Sequence, residues 1–325
     1  MLNCTAILQT YAWLHNNEPK NVIMGDDLDA ALATLLYLKH NPNARLAGFY
    51  ADYTTIFYSE TLDITDLADV IYIDLDIYHT KCRSLGHHII RHKKKDDLAN
   101  FHNSCNLCEL KNLTCNDFKT KYPLGTVHFL LWLYKENLPK NEFAEQIIWL
   151  ADSAYINGMS EQYKLDKNTQ ALKKVKSYRE NVDNWLENEM PFEVLQNTFT
   201  KVDTKEFEEK MQILQQKMLE NGFKKGYGQS VSQHLQLSGY QCQPPKNANA
   251  EEITAYFEKL FSFLIKITNW QPKNVQFDLK NLKNLKLNRK TATIDKDFDL
   301  NEFLSDKKVF SYVFPFANTV NYTCF

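Results

Sequence analysis

Short apolar runs alternate with helical patterns along the first half of the chain. The β-rich runs at 21–25, 46–50 and 70–74 lack polar alternation, which is typical of strands buried on both faces of a parallel sheet. Helix-forming segments at 29–39 and 62–68 lie between them. Strands that alternate with helices predict an α/β fold built on a doubly wound, mostly parallel sheet.

The second half of the chain is dominated by helical patterns. They cover residues 123–134, 142–155, 173–189, 204–221 and 251–267. Asn249 is placed to cap the last of these helices, and an aromatic-rich strand is predicted at 309–316. A break near 191–204 predicts two domains: a sheet-containing domain, 1–195, and a smaller C-terminal α+β domain, 196–325.

Composition indicates a compact globular protein. The chain has 325 residues, of which 44% are apolar and 24% charged, so it can bury a sizeable core. The longest apolar run, 124–134, is well short of the roughly 20 residues that span a bilayer, and the first residues lack a secretory pattern. We therefore expect a soluble cytoplasmic protein without a membrane partner. The net charge is −2, with an acidic first part (1–200) and a basic second part (201–325). An acidic half can hold cations and a basic half can attract a polyanion, and the alternative is the chance imbalance of solvated surfaces.

Three carboxylates follow the first predicted strand. Asp26, Asp27 and Asp29 precede a helix at the position where open α/β sheets bind ligands. Their mutual repulsion calls for a cation. The alternative is that one of them caps the helix.

A second carboxylate pair, Asp74 and Asp76, follows the strand at 70–74. Neighbouring parallel strands lie about 4.8 Å apart, so Asp74 can share a metal ion with Asp27 and Asp29 if their strands are adjacent. The alternative is an ordinary solvated strand end.

Two further segments carry potential metal ligands. His87 and His88 follow the acidic strand ends, and an imidazole beside carboxylates suits Mn²⁺, Co²⁺ or Zn²⁺ better than Ca²⁺. Asp152 ends a large apolar run, where we expect it to be at least partly buried and to need a partner or a metal. Capping by Asp152 is the alternative.

Four ligand-type residues cluster after the histidine pair. His102, Cys105, Cys108 and Cys115 predict a structural Zn²⁺ site as one interpretation. The six-residue spacing before Cys115 is unusual for zinc fingers, so packing of the thiols is the alternative. His102 is also an additional active-site candidate.

A basic stretch at 273–290 is a candidate for substrate binding. Its residues Lys283, Lys286 and Arg289 can track a phosphate backbone. The alternative is an ordinary basic surface.

Taken in order, these motifs resemble those of the DHH phosphoesterase superfamily. The resemblance covers about residues 20–155 and rests on Asp27-Leu28-Asp29, Asp74, Gly86-His87-His88 and Asp152. It implies a DHH-like metal-binding catalytic domain over 1–195 and a substrate-binding or accessory domain over 196–325.

The resemblance also implies a two-metal centre. Asp27 would bind the first ion, Asp29, His87 and Asp152 the second, and Asp74 both. His88 would contact the scissile phosphate, so that His88 and Asp74 are the catalytic candidates. The implied cofactor is two Mn²⁺ ions, or Mg²⁺ or Co²⁺, and the implied reaction is hydrolysis of a phosphodiester in a nucleotide or a short single-stranded nucleic acid.

The chain departs from the family pattern at two places. Gly86 stands where the family has the Asp of Asp-His-His, and no histidine precedes Asp27, where Asp26 is a candidate substitute. Asp76 is a further candidate at the site. The alternative function is a catalytically inactive DHH-fold scaffold or a nucleic-acid-binding protein. A homodimer is compatible with the sequence.

Overall fold

The computed structural model describes most of the chain. The described residues are 1–63, 70–79, 81–152, 154–159, 162–165, 169, 172–200, 205–225, 230–231, 236–237, 240–273, 277–295 and 297–325. The helix predicted over 62–68 lies largely outside them. Within these ranges, no helix has both the length and the apolar character that a membrane crossing requires.

The helices and strands are numbered in chain order. The helices are α1 (Cys4–Thr10), α2 (Leu28–His40), α3 (Leu107–Leu110), α4 (Thr126–Tyr134), α5 (Ala144–Trp149), α6 (Ala154–Gly158), α7 (Arg179–Asn184), α8 (Glu193–Phe199), α9 (Lys205–Glu220), α10 (Ala250–Thr268) and α11 (Leu300–Asp306). The strands are β1 (Lys20–Met24), β2 (Ala44–Ala51), β3 (Thr55–Ser59), β4 (Val70–Ile73), β5 (Arg83–Gly86), β6 (Cys105–Asn106), β7 (Gln162–Leu165), β8 (Leu172–Val175), β9 (Lys224–Lys225), β10 (Ser230–Val231), β11 (Gln236–Leu237), β12 (Tyr240–Gln241), β13 (Leu282–Lys286), β14 (Asn288–Thr293), β15 (Val309–Phe316) and β16 (Thr319–Cys324).

The chain folds into two compact units, each assembled from separate segments. We call them the sheet unit (Thr5–Asp26, His40–Tyr122 and Lys273–Phe325) and the helical unit (Met1–Cys4, Asp27–Lys39 and Pro123–Pro272). This division differs from the two consecutive domains that the sequence predicts, 1–195 and 196–325, because the last segment of the chain folds with the sheet.

A seven-stranded, mostly parallel sheet forms the centre of the sheet unit. Its order is β13-β3-β2-β1-β4-β5-β6. The strands from β2 to β6 in this order run parallel, while β3 and β13 add antiparallel to one edge. The predicted α/β class with a mostly parallel sheet is confirmed. The chain order reverses between β1 and β4, and open α/β sheets bind ligands at the carboxyl ends of strands at such a reversal.

The core of the sheet unit includes residues from the end of the chain. Phe310 on β15 packs edge-on against Tyr50 and Tyr72, with ring centroids 6.2 Å apart in both cases. The Tyr78 amide donates to the Phe310 carbonyl at 2.7 Å. These contacts join the three-stranded sheet, β14-β16-β15, to the core of the central sheet.

The helical unit is built from amphipathic and fully apolar helices. Asn249 caps α10 by accepting a hydrogen bond from the Glu252 amide, as the sequence predicts. Trp149, the last residue of α5, packs against Phe199 and Phe207, with centroids 4.0 and 5.5 Å away. Large aromatic side chains therefore supply much of the core of this unit.

Most of the predicted elements are confirmed. The predicted strands appear as β1, β2, β4 and β15, and four predicted helices as α2, α4, α9 and α10. The helix predicted over 142–155 is wrong in extent, because the chain forms two short helices with Asp152 in a left-handed conformation between them. The helix predicted over 173–189 is wrong at its start, where β8 pairs with β7 instead. Strand pairing overrides local propensity there.

Candidate metal centre

Asp74 lies where β4 leaves the central sheet. Ladder hydrogen bonds reach both of its neighbours: the Gly25 amide donates to the Ile73 carbonyl at 3.0 Å, and the Leu75 amide donates to the Leu85 carbonyl at 3.1 Å. Between them Asp74 has a left-handed φ of 60°, which Asp tolerates better than most residues. The residue is buried. The fold thus holds a carboxylate at the carboxyl end of the sheet, beside the strand-order reversal.

His87 follows β5 and lies against Asp74. Its Nδ1 is 3.3 Å from Asp74 Oδ1, and both side chains are buried. Two ligands of one ion, each bonded at roughly 2.0–2.2 Å, lie about 3.0–3.5 Å apart, so this separation fits a shared divalent ion. The Cys108 thiol donates to the His87 carbonyl at 3.1 Å, and the Tyr122 ring packs edge-on against the imidazole. The chemistry of the pair suits Mn²⁺, Co²⁺ or Zn²⁺.

Asp76, His88 and Asn106 form a hydrogen-bonded network around Gly86. Asp76 Oδ2 lies 3.1 Å from His88 Nδ1, and Asp76 Oδ1 accepts from Asn106 Nδ2 at 2.6 Å. The same amide donates to the His88 carbonyl at 2.9 Å. A Cβ at Gly86 would lie 2.6 Å from Cγ of Asp76, so only glycine leaves room for this buried carboxylate.

Asp26, which follows β1, forms a hydrogen bond with a tight turn between β2 and β3. Its Oδ2 accepts a hydrogen bond from the Asp52 amide at 2.6 Å. Asp52 and Tyr53 both have φ of 53°, and the Thr54 amide donates to the Ala51 carbonyl at 3.0 Å. Positive φ at both central residues is the pattern of a type I′ hairpin turn. Asp26, predicted as an additional ligand, therefore holds the turn that carries Tyr53.

A cavity of about 230 Å³ opens within the sheet unit beside these residues. Its chemistry-bearing walls are Tyr53, Asp74, Asp76, His88 and Arg289. Strands β15 and β16 supply much of the remaining lining. Arg289 is thus the one predicted substrate-binding residue that lines this cavity.

The other two predicted substrate-binding residues, Lys283 and Lys286, lie elsewhere. Both are exposed on β13 at the edge of the central sheet and are not part of the cavity lining. The Lys283 amine donates to the Glu60 carbonyl at 3.4 Å. Side chains that follow one another along a strand face different surfaces. The three predicted substrate-binding residues therefore do not lie at one site.

In the helical unit, Asp27 caps α2. Its Oδ1 accepts from the Ala30 amide at 2.9 Å, which is the capping interpretation that the sequence leaves open. The Cys242 thiol donates to the Asp27 carbonyl at 3.1 Å. Asp27 is only half-buried, and its hydrogen bond from the Ala30 amide is that of an N-cap.

Asp29 is fully buried and lies against the start of α4. Its carboxylate accepts from the Thr126 amide at 2.6 Å and from the Val127 amide at 2.9 Å. Helix N-termini favour negative charge, so these two amides give the buried carboxylate of Asp29 hydrogen-bond partners in the absence of solvent. A Cβ at Gly125 would lie 2.5 Å from Asp29 Oδ2. Gly125 is therefore required at this position.

Two predicted site residues lie on the surface. Asp152 is exposed, so its expected burial is wrong. The apolar run ends before it, and its left-handed conformation turns the chain away from the helix. His102 is also exposed, and its Nδ1 lies 2.6 Å from the Ala99 carbonyl at the end of a single 3-10 turn. Neither has the burial expected of an enclosed ligand.

The structure does not bring three or more of the predicted zinc ligands of the cysteine segment together. The structure describes this whole segment, and no group of metal-type ligands found among the described residues includes His102, Cys105, Cys108 or Cys115. Cys108 and Cys115 donate instead to the carbonyls of His87 and His92. Burial raises the pKa of Cys108 to about 11, so this thiol is neutral at physiological pH. The alternative interpretation, packing, accounts for these residues.

Sequence reasoning missed Asn106, Gly125 and Tyr53. Asn106 lies on the two-residue strand β6, which is too short to show a sequence pattern. Gly125 is required only because the Asp29 carboxylate packs against it. A signal for Tyr53 was present, since Asp-Tyr-Thr between two β-rich runs has the length of a hairpin turn. Of the five predicted metal ligands, Asp29, Asp74 and His87 are buried.

No protein-family model, curated protein or solved structure matches the chain.

Proposed function

We propose that this chain is a metal-dependent phosphoesterase that hydrolyses a phosphodiester of a nucleotide or a short single-stranded nucleic acid. The observation that carries the proposal is the buried Asp74–His87 pair, with donor atoms 3.3 Å apart. It lies at the carboxyl end of the central sheet, beside the reversal of strand order, where α/β sheets bind ligands. The order of the DHH-like motifs supports the same reaction.

Asp74 and His87 would hold a divalent cation, with Mn²⁺ as the first choice and Mg²⁺ or Co²⁺ as alternatives. The motif order assigns Asp29 to the same ion as His87 and assigns Asp27 to the other ion of the pair, and both assignments stay predictions from the sequence. When bound, such ions lower the pKa of water and stabilise charge on the phosphoryl oxygens. The buried carboxylates would then be neutralised by the ions rather than by protons.

The remaining residues would bind and orient the phosphate. Asp76 holds His88 through Nδ1, which leaves Nε2 for a phosphoryl oxygen. His88 is partly exposed and lines the cavity, so a ligand can reach it. Asn106 fixes both the Asp76 carboxylate and the His88 backbone. The network thus places the imidazole before substrate arrives.

A catalytically inactive DHH-fold scaffold or a nucleic-acid-binding protein is the second candidate function. Gly86 favours it, because the family carboxylate is missing from this position. The buried carboxylate of Asp76 beside Gly86 argues for the enzyme instead. The two candidates differ in whether the chain turns over a phosphodiester.

The test is Mn²⁺-dependent hydrolysis of bis-p-nitrophenyl phosphate, a dinucleotide, a cyclic dinucleotide and a labelled single strand. The expected result is turnover of at least one substrate by the wild type and its loss in Asp74→Ala, with loss of bound Mn²⁺. Asp306→Asn, which changes an exposed carboxylate at the end of α11, is the matched control. No turnover by the wild type, with no Mn²⁺ bound, would favour the scaffold.

A further inference from the structure

Arg289 and Tyr53 form a cation–π pair at the cavity of the sheet unit. The guanidinium carbon lies 5.2 Å from the centroid of the Tyr53 ring, within the range of a cation–π contact. Both residues line the cavity together with Asp74 and His88. The pair therefore adds a cation and a flat aromatic surface beside the candidate metal centre.

Tyr53 occupies a backbone position that does not suit a tyrosine. Asp52 and Tyr53 are the central residues of a type I′ turn, and the second of these positions is usually glycine. A bulky residue at a positive φ is strained. Such strain persists at ligand clamps and similar sites when the surrounding structure maintains it. The ring is thus held at the cavity at the expense of stability.

The turn is held on two sides. Asp26 accepts a hydrogen bond from the Asp52 amide at 2.6 Å, and the Leu287 amide donates to the Thr54 carbonyl at 2.7 Å. Leu287 is buried in the core and lies two residues before Arg289. One set of contacts therefore fixes both the aromatic ring and the strand that carries the guanidinium.

Arg289 has a charge available for a ligand. In the part of the chain that the structure describes, no ion pair joins Arg289 to a carboxylate. Its neighbour Lys290 is exposed on the same strand but does not line the cavity. A guanidinium that lies over a ring makes no hydrogen bond to it, so its N–H groups can donate to an anion such as phosphate.

We propose that Arg289 and Tyr53 bind the part of the substrate beyond the reacting phosphate, with an anionic group on Arg289 and a flat ring against Tyr53. The proposal rests on the proposed function and narrows it. A cavity of about 230 Å³ is smaller than the roughly 300–1,000 Å³ of drug-sized ligand pockets. This volume favours a small phosphate ester of single-nucleotide size over a polymer threaded through the site.

The first experiment measures the binding of 5′-AMP, ribose 5-phosphate and inorganic phosphate by calorimetry, with and without Mn²⁺. We expect 5′-AMP to bind most tightly, because it engages both the guanidinium and the ring. Arg289→Gln should weaken 5′-AMP binding by about tenfold or more, while Lys290→Gln leaves it unchanged. Equal effects of the two substitutions, or no 5′-AMP binding by the wild type, would overturn the proposal.

The second experiment separates the ring from the turn. Tyr53→Gly creates the Asp-Gly pair that type I′ turns favour, so it should raise the melting temperature and weaken 5′-AMP binding severalfold. Tyr53→Phe should keep the wild-type affinity, and Asp52→Gly, which alters the turn but keeps the ring, should do the same. An affinity of Tyr53→Gly equal to that of the wild type would contradict the role of the ring.

The two proposals fail in different ways. If Asp74→Ala keeps full hydrolysis while Arg289→Gln still weakens 5′-AMP binding, the metal-dependent reaction is wrong and the binding subsite stands. If Asp74→Ala loses hydrolysis while Arg289→Gln hydrolyses a dinucleotide with an unchanged KM, the subsite is wrong and the reaction stands.

Discussion

The carboxylate of Asp76 occupies the space that a side chain at position 86 would need. A Cβ on Gly86 would lie 2.6 Å from Cγ of Asp76, and the same carboxylate reaches His88 Nδ1 at 3.1 Å. Gly86 stands where the Asp-His-His pattern has its Asp. The carboxylate of Asp76, which follows β4, lies against this position instead. A charged group beside His88 is present, although the sequence motif lacks it.

Moving the carboxylate back to position 86 tests this relationship. Asp76→Gly should lower turnover at least tenfold, because His88 loses the partner that orients it. Gly86→Asp should destabilise the protein by about 1–3 kcal/mol through overpacking and like charge. The double variant, Asp76→Gly with Gly86→Asp, should recover part of both losses in hydrolysis and urea-denaturation assays. Strictly additive losses in the double variant would mean that the two positions are not coupled.

His87 and His88 should separate metal binding from turnover. His87→Ala removes the imidazole that pairs with Asp74, so bound Mn²⁺ should fall at least tenfold along with hydrolysis. His88→Ala should keep the Mn²⁺ and lose about 10²-fold or more in kcat, because it removes a group proposed to contact phosphate. Metal content by mass spectrometry and steady-state kinetics measure the two effects. Loss of metal in both variants would show that His88 is itself a ligand.

Gly125 should be irreplaceable for reasons of packing. A Cβ at this position would meet the Asp29 carboxylate at 2.5 Å, and the backbone on both sides is buried. Gly125→Ala should lower the free energy of unfolding by about 1–3 kcal/mol, measured by urea denaturation. Asn249→Ala, which removes the cap of α10, calibrates the measurement at about 1 kcal/mol. A neutral Gly125→Ala would mean that Asp29 can move away from α4.

Alkaline pH should weaken the fold through Cys108. Burial raises the pKa of this thiol from 9.0 to about 11, so the folded state favours the neutral form. The stability that this preference contributes is fully present below about pH 9 and is lost as the pH rises towards 11. The resulting decrease in the free energy of unfolding is at most about 3 kcal/mol. Urea denaturation at pH 8, 9 and 10 measures it, and Cys108→Ala should show a smaller decrease than the wild type. Identical decreases would assign the effect to other buried groups, such as Tyr72 and Tyr312, whose pKa burial also raises.

Local sequence patterns predicted the elements that carry the centre. Unalternating apolar runs identified β1, β2 and β4 because strands covered on both faces exclude polar residues. Carboxylates directly after β1 and β4 marked the edge of the sheet where the candidate metal centre lies, because strand ends and their following residues are neighbours along the chain. The adjacency of β1 and β4 that the argument required is present. Asn249 as a helix cap was equally local and was confirmed.

Tertiary structure decided what each polar residue does. The exposure of Asp152 and the capping by Asp27 contradict or narrow expectations drawn from residue type. The cysteine segment, which the structure describes in full, likewise contributes no residue to the group of metal-type ligands. Arg289 reaches the cavity, whereas Lys283 and Lys286 do not. Residue type and spacing cannot distinguish these outcomes, because each depends on which face of an element a side chain occupies.

The sequence by itself therefore determined the α/β class, the position of most strands and helices, and the acidic edge of the sheet. Only the tertiary structure decided that Asp76 takes the space over Gly86 and that Tyr53 and Arg289 share one cavity. The physical reason is the range of the interactions. Periodicity and capping act within a few residues, while these pairs arise from strand order and from the return of the C-terminal strands to the sheet.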